Sequence, residues 1–559
     1  MIKINKKIIK YIFFCFIIII ILIIFPIFSY HKEININPLQ SFYKKGAYHM
    51  HSIFSDGKGT IYDITKAASQ LKLDFVILTD HGEPNIKASK STSWLSDVLL
   101  IGGSEFSLNS GHLAAIGYKI PEYIFPPEPQ QSINEVINDN GVCFISHPFD
   151  DKIPWTDWDI KDFTGIEVLN SYSSARKTSI LNLLSFPLQY IFNSNYALLK
   201  TIQYPEENIK KFDYLCSTGK YYGIYALDCH AKLPISKKIQ FNFPSYKSMF
   251  EIFNIYVKID KEIEKDPYKS ASTIISSLRK GAFFSVIEAI APANGFETYF
   301  ITSNRERIEM GSSTDSIYGK IVFKLPFNFE TNIIIKRDGK VYKKIQNNLK
   351  HRLEIYVKKP GVYRAEIFVT NNKFNKIPWI FTNPFFIGYR NKFQEKIETN
   401  LKKSLVDREG FFKIESNRLS TGDLTYNRNS EGELITIFKF NLQKEREKND
   451  FWSVISNRNR FDLSRFKGFL FKTRSNKKMR FWIEFRTKTK SSETWYRHSF
   501  LSDKEWKKTQ IPFDKFYVIF GNKRAPELNN ISSIFFSINN ANAFSGTEGT
   551  IYLKNIGLY

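Results

Sequence analysis

From residue 46 onward the chain alternates short apolar runs with polar loops and stretches of helical spacing. Phe75-Val76-Ile77-Leu78, Leu99-Leu100-Ile101, Val142-Cys143-Phe144-Ile145, Gly165 to Asn170 and Tyr222 to Leu227 are continuous and short, the texture of strands buried on both faces. Between them, Ile61, Ile64, Ala67, Ala68 and Leu71 fall on one side of a helix over 61–71. Ser132 to Asn140 is a second helix, stopped by Gly141, and Ser270 to Arg279 a third, followed by Gly281 as its cap. This strand–helix alternation predicts an α/β barrel over residues 42–295.

Thr178 to Leu199 is apolar and helical, with Pro187 kinking or splitting it. Ser185, Gln189 and Asn193 recur at helical spacing and give it a polar side, so it reads as a helical lid within an insertion over 178–220, not as a membrane span. Beyond Gly295 the texture changes to short alternating strands at Lys320–Lys324, Thr331–Lys336, Leu353–Val357 and Tyr363–Val369, with a hairpin turn at Arg337-Asp338-Gly339-Lys340. These predict a small β-sandwich over 296–390, a charged linker over 391–410 and a second β domain over 411–559.

The first 30 residues carry a different pattern. Lys3, Lys6, Lys7 and Lys10 precede an unbroken apolar run from Tyr11 to Ser29, about the length of a transmembrane helix. Lysines on its N-terminal side keep that end in the cytoplasm. Ile24-Phe25-Pro26-Ile27-Phe28-Ser29-Tyr30 lacks small residues at the spacing of a cleavage site. The expectation is an uncleaved signal-anchor, a linker over 31–41, and a single-pass protein of the cell membrane whose catalytic domain is extracytoplasmic.

At 559 residues the chain exceeds one core. The net charge of +25 accompanies heavy use of Lys, Ile, Asn and Phe, so it reads as a solvated lysine-rich surface; nucleic acid enters only as a substrate. Four cysteines make no disulfide framework, and free buried thiols are expected.

The chemistry lies in the histidines. Six of the 9 fall between His49 and His230. His49 and His51 share one face if their stretch is a strand. His81, Glu105, His112, His147, Asp228 and His230 each end or follow one of the apolar runs, and ligands at the carboxyl ends of parallel strands converge on one rim of a barrel. With Asp56 these are nine candidate metal ligands: His49, His51, Asp56, His81, Glu105, His112, His147, Asp228 and His230. Nine groups are too many for one four-coordinate ion and suit three. Imidazole and carboxylate without thiolate suit Zn, Mn or Fe. Arg176 and Lys232 follow site segments and are candidates for clamping a phosphate.

These motifs resemble the PHP (polymerase and histidinol phosphatase) superfamily of metallo-hydrolases over roughly Phe42 to Ser313, nearest to its CehA/McbA-type branch. The resemblance implies a distorted α/β barrel followed by β domains. It implies one ion on His49, His51, Glu105 and Asp228, a second on Glu105, His112 and His147, and a third on Asp56, His81 and His230. The implied activity is a phosphoesterase whose nucleophile is a metal-bound hydroxide, with no side-chain nucleophile. Asp56 stands where some relatives carry His. The alternatives are hydrolysis of a carboxyl or carbamate ester at the same metals, and a non-catalytic glycan-binding surface protein. Phe411 to Tyr559 resembles galactose-binding-like jelly rolls of the carbohydrate-binding and CIA30 type, through Phe461-Asp462-Leu463-Ser464-Arg465-Phe466-Lys467-Gly468, Arg480-Phe481-Trp482-Ile483, Ile511-Pro512-Phe513 and Ile551-Tyr552-Leu553. That likeness implies a cell-surface glycan as a candidate partner or a bracing role. Trp452, Trp482, Trp495 and Trp506 are candidates for a sugar platform or for core.

Overall fold

The computed structural model describes residues 11, 14, 18, 25–32, 43–234, 240–241, 243–326, 330–388, 400–418, 420–443, 451–488, 492–522 and 525–559. The chain forms two compact units, one of Met1–Lys119 with Ile133–Asn391 and one of Ile120–Ser132 with Lys392–Tyr559. Most of the predicted membrane-spanning run lies outside the described residues. Among the described residues no helix is long and apolar enough to cross a membrane.

In the first unit the predicted buried runs are strands: β1 (Tyr43–Tyr48), β2 (Phe75–Leu78), β3 (Val98–Leu108), β4 (Gly111–Ile116), β5 (Val142–Ile145), β6 (Gly165–Asn170) and β7 (Tyr222–Ala226). They lie side by side in that order, and β8 (Phe253–Lys258) and β9 (Phe283–Ile287) continue the sheet from the far edge of β1. The pairs β1/β2, β2/β3, β5/β6 and β6/β7 are parallel. The curl closes at one rim, where Met50 bridges Cys229 and the amide of Leu227 donates to the Tyr48 carbonyl (3.1 Å). Val142, Phe144, Ile224, Ile255 and Phe283 pack inside with Ile274 and Leu278.

One expectation fails locally. His112 does not end a parallel strand. A hairpin reverses the chain after β3, so β3/β4 and β4/β5 are antiparallel and His112 is the second residue of β4, opposite Ser107. The reversal is set by Gly111, whose φ of 124° is open to glycine and whose Cβ would meet Trp155. Because β3 runs long, the start of β4 reaches the same rim.

The predicted helices stand at Ile61–Gln70, Pro129–Asn138 and Pro267–Arg279. Thr60 and Asp63 form a capping box at the first of these. After β6 comes α1 (Ser171–Arg176), and the insertion then folds as α2 (Ile180–Phe192), α3 (Ser194–Leu199) and α4 (Glu206–Thr218), with Pro187 inside α2. Residues 296–390 contain the predicted strands, and Asp338 and Gly339 both have positive φ, as the hairpin turn requires. Their region is not cut off from the barrel, however. Ile380–Thr382 pairs with β9 and with β10 (Gly361–Val369), so one sheet of 16 strands runs through both. The flank of β9, buried throughout, would otherwise be a bare edge.

A buried charge cluster fixes the insertion to this sheet. Arg364 on β10 donates to both carboxylate oxygens of Asp213 on α4 (2.7 and 2.9 Å) and to Glu366 (2.6 Å), which also takes Lys336 (3.0 Å) and the Tyr204 hydroxyl (2.9 Å). Burial alone would raise Glu366, but Arg364 and Lys336 outweigh it and hold it below the usual carboxylate range.

The second unit is two six-stranded antiparallel sheets around a phenylalanine core that includes Phe438, Phe469, Phe471, Phe485 and Phe536. Part of the predicted linker belongs to it, since Lys403 and Ser404 pair with Leu558 and Gly557. So does the segment 120–132, taken from within the predicted barrel sequence.

Replacing Arg364 with Met should destabilise the first unit by about 3–5 kcal/mol, because Asp213 and the buried Glu366 lose the arginine that bridges them and keep only Lys336. Chemical denaturation followed on that unit checks this. In the wild type the Glu366 contribution should be complete above ~pH 4.3 and lost as pH falls through its lowered folded value.

Candidate metal centre

The rim where β1 meets β7 gathers all nine predicted ligands. His49 and His51 follow β1, His81 follows β2, Glu105 lies on β3, His112 opens β4, His147 follows β5, and Asp228 and His230 follow β7. Three of these residues adopt left-handed backbone: His49 (φ 65°), His147 (φ 31°) and Asp228 (φ 51°). Such conformations cost of order 1–3 kcal/mol each in non-glycine residues and cluster where geometry serves function.

Glu105, 1% exposed, is the hub. Its Oε2 lies 3.4 Å from His49 Nε2, 3.4 Å from His51 Nε2 and 3.3 Å from His81 Nδ1. Its Oε1 lies 3.4 Å from His112 Nδ1 and 3.3 Å from His147 Nε2. The two oxygens therefore face different imidazole sets. Asp228 Oδ1 closes the first set at 3.7 Å from His49 Nε2 and 3.5 Å from His51 Nε2. A third set surrounds Asp56 Oδ1, with His230 Nε2 at 3.3 Å, His51 Nδ1 at 3.8 Å and His81 Nε2 at 3.9 Å. Asp56 is the most open member, its side chain 48% exposed.

The grouping differs in detail from the expected partition. His51 faces the first and third sets with its two nitrogens, and His81 groups with Glu105 and His112 as well as with Asp56 and His230. The cause is spacing: the His51 ring lies 4.5 Å from that of His81 and 4.1 Å from that of His230.

The donor set fits divalent ions. His51 Nδ1, His81 Nδ1, Glu105 Oε1, His112 Nδ1 and His147 Nδ1 are buried without a hydrogen-bond partner, a cost no fold sustains for nothing. The spacings of 3.2–3.7 Å among His49 Nε2, His51 Nε2, Glu105 Oε2 and Asp228 Oδ1 bracket the ~3.3 Å edge of a tetrahedron with ~2.0–2.1 Å bonds. The electrostatics agree. Burial raises a carboxyl, yet the imidazoles, His49 foremost, hold Glu105 well below its usual range. Asp228 is lowered against burial by His49 and His51, and Asp56 against burial by His230. Burial lowers an imidazole, yet Glu167, Glu105 and Asp228 raise His49 well above its usual value, and Glu105 pushes His147 up to about 9. The rim is a nest of ionised carboxylates that attracts positive charge.

Sequence reasoning missed the groups behind the ligands. Glu167, fully buried on β6, accepts from His49 Nδ1 (2.5 Å), from the His147 amide (2.8 Å) and from Asn170 Nδ2 (2.8 Å). This bond puts the His49 proton on Nδ1 and turns the Nε2 lone pair inward. Asp80 accepts from the amide and hydroxyl of Ser52 (2.8 and 2.7 Å) and from Ser55 Oγ (2.6 Å), pinning the loop that carries His51 and Asp56. The signal for Glu167 was present: a carboxylate in an otherwise buried strand needs a partner.

Arg176 and Lys232 both line a cavity of about 330 Å³ that ends at Asp228 and His230. Arg176 Nη1 already contacts both oxygens of Asp150 (3.1 Å each), and Lys232 Nζ donates to the Asp56 carbonyl (3.3 Å). In the second unit, Trp482 is buried, and Trp452, Trp495 and Trp506 are half-buried. Cations cover three of these rings: Arg480 (4.3 Å) and Arg497 (4.6 Å) on Trp482, Arg486 (3.7 Å) on Trp495, Lys554 (4.9 Å) on Trp506. Segment 120–132 bonds to the same sheet. Arg480 Nη1 donates to the Phe125 carbonyl (2.8 Å), and the Ser499 amide and hydroxyl donate to Glu128.

Residues 419–552 match the family model of Complex I intermediate-associated protein 30 (CIA30). No curated protein gives a significant match. Among solved structures, the chain is similar to a two-domain protein from Bacteroides vulgatus described as containing a predicted PHP-like metal-dependent phosphoesterase (15% identity, 64% of this chain, 99% of that chain, TM-score 0.30). It is also similar to a family 11 carbohydrate-binding module from Clostridium thermocellum, solved with a beta-1,3-1,4-mixed-linked tetrasaccharide (20% identity, 28% of this chain, 92% of that chain, TM-score 0.22). A third is a family 30 carbohydrate-binding module of a cellulosomal cellulase from the same organism (14% identity, 26% of this chain, 93% of that chain, TM-score 0.18).

Replacing Glu167 with Ala should weaken metal binding roughly 10–100-fold, the cost of losing a ligand's outer partner. Competition with a chromophoric chelator measures this. Unchanged affinity would mean that Glu167 only fills space.

Proposed function

We propose that the first unit is a metal-dependent hydrolase of esters, with phosphoesters as its first substrate class. The observation that carries this is the convergence of five imidazole nitrogens at 3.3–3.4 Å from the two oxygens of Glu105, two of them, His81 Nδ1 and His112 Nδ1, buried without a hydrogen-bond partner. His49, His51, Glu105 and Asp228 would hold one ion, Glu105, His112 and His147 a second, and Asp56, His81 and His230 a third, with Zn, Mn and Fe as the candidates. Bound divalent ions supply Lewis acidity and an ionised water at neutral pH.

The protein's own groups do the positioning. Glu167 fixes the His49 tautomer, Asp80 holds the loop of His51 and Asp56, and Glu105 keeps the imidazole sets at bonding distance of one carboxylate. Hydrolysis breaks the bond from phosphorus to the leaving oxygen, forms one to the oxygen of water, and sends a proton out with the alcohol. His230 and Asp56 form the open edge, where a leaving group meets solvent.

Carboxyl or carbamate ester hydrolysis at the same metals, an alternative that the resemblance leaves open, is the second reading. It is favoured by the engagement of Arg176 with Asp150, which leaves a weaker phosphate clamp than the sequence suggested. For the second unit we favour a bracing role over a glycan platform, because Arg and Lys side chains and segment 120–132 occupy its tryptophan-bearing surface. Residues 11–29 are read as a signal-anchor that tethers the hydrolase at the outer face of the cell membrane, following the lysine bias before them.

In Glu105→Gln the neutral amide should lower metal content and cut turnover of a chromogenic ester by at least ~10²-fold, as expected for loss of a bridging ligand. Asp97→Asn, an exposed neighbour, should change neither. Metals per chain and ester turnover, measured on both variants with a panel of phosphomono-, phosphodi- and carboxyl esters, decide it. Wild-type metal and rate in Glu105→Gln would overturn the proposal.

A further inference from the structure

Helix α2 is inside out for a protein in water. Its polar stripe points inward: Gln189 is buried and donates to Ser185 Oγ (3.0 Å), and Asn193 Nδ2 donates to the carbonyls of Ile27 (3.2 Å) and Tyr30 (3.1 Å). Its opposite stripe is apolar and bare, with Leu184 75% and Ile191 76% exposed beside Ile180, Leu181, Leu188 and Phe192. Surface helices of soluble domains turn the polar side out, and soluble monomers rarely expose so continuous an apolar patch.

Where the chain leaves its apolar N-terminal run bears on what covers this stripe. The described end of that run, residues 25–30, is fastened at the C-terminal end of α2. Phe28 packs its ring on Phe192 (5.4 Å between centroids), and Lys373 Nζ donates to the Pro26 carbonyl (3.3 Å) and Ser29 Oγ (2.6 Å). A chain leaving a bilayer at Phe25 would hold α2 at the bilayer surface. A third stripe of α2 faces the site. Leu183, Phe186 and Pro187 wall the 330 Å³ cavity, with Leu198, Met249 and Ile252 across it. The cavity is of ligand-binding size, apolar along its length and ionic where it reaches His230, Asp228, Arg176 and Lys232.

We propose that α2 seats the protein on a lipid bilayer, and that the cavity behind it takes the hydrocarbon chain of an amphiphilic ester drawn from that bilayer, with the ester head at His230 and Asp228. The head-group half rests on the hydrolase reading above; the seating of α2 does not.

The test uses the full chain in phosphatidylcholine vesicles with brominated acyl chains. In Leu184→Trp, the emission added over wild type should be quenched by the bromines. Absence of quenching overturns the seat, whether water or the chain's own N-terminal run then covers the stripe. A second arm measures hydrolysis of nitrophenyl alkyl phosphates from ethyl to decyl. The value of kcat/KM should rise about two- to fourfold per methylene, the yield of burying each one, until the cavity is full. Ala175→Trp, which fills the cavity from α1, should flatten that rise. A wild-type series that is turned over without chain-length dependence overturns the chain-binding cavity and leaves the hydrolase standing. No turnover of these phosphates or of the carboxyl-ester panel overturns the hydrolase reading and the head-group half with it, while quenching still decides the seat.

Discussion

Five imidazole nitrogens lie 3.3–3.4 Å from the two oxygens of one buried carboxylate, Glu105, and the first unit is arranged so that they can. They come from four separate turns of chain at one rim, His49 and His51 sharing the segment after β1, so the sheet must curl and close there. The closure is made by backbone bonds next to the ligands themselves, His51 amide to Cys229 carbonyl (2.9 Å) and Leu227 amide to Tyr48 carbonyl (3.1 Å). Left-handed backbone at His49, His147 and Asp228 is the local cost of that convergence. The apolar strands and the charge cluster of Arg364, Asp213 and Glu366 supply the stability that offsets it.

Much of this was legible because the strands are buried on both faces and write themselves as continuous apolar runs. The ligands stand at their ends, where polarity returns, so position in the run identified Glu105, His147 and Asp228. The hairpin between β3 and β4 was not legible, since a reversal at Asn109-Ser110-Gly111 and a forward loop have the same polar texture; His112 reaches the Glu105 cluster through that reversal and not at the end of a parallel strand. Glu167 escaped because a single carboxylate in Gly-Ile-Glu-Val-Leu-Asn breaks the apolar rule without naming its partner, which lies 118 residues away. Continuity of one sheet through residues 361–382 also depends on a long-range pairing that local pattern does not encode.

The polarity of α2 shows where pattern alone misleads. Its Ser185, Gln189 and Asn193 stripe was legible as a polar side, but pattern gives no sign of which side faces inward. In the fold Gln189 donates to the Ser185 hydroxyl and Asn193 to the carbonyls of Ile27 and Tyr30, and the hydrocarbon side remains outside. The second unit follows the ordinary rule, with aromatic core inside and the half-buried Trp495 and Trp506 under arginine and lysine. The histidine cluster and the apolar cavity beside it both lie in the first unit.

The central claim is that the Glu105 cluster is a multinuclear metal site. Anomalous diffraction from crystals of the full-length protein, collected across the Mn, Fe and Zn edges, tests it most directly. The account predicts more than one divalent scatterer among His49, His51, Glu105, His112, His147 and Asp228, with Glu105 touching two of them. A cluster without anomalous signal, its imidazoles hydrogen-bonded to water after growth with all three metals supplied, would contradict it.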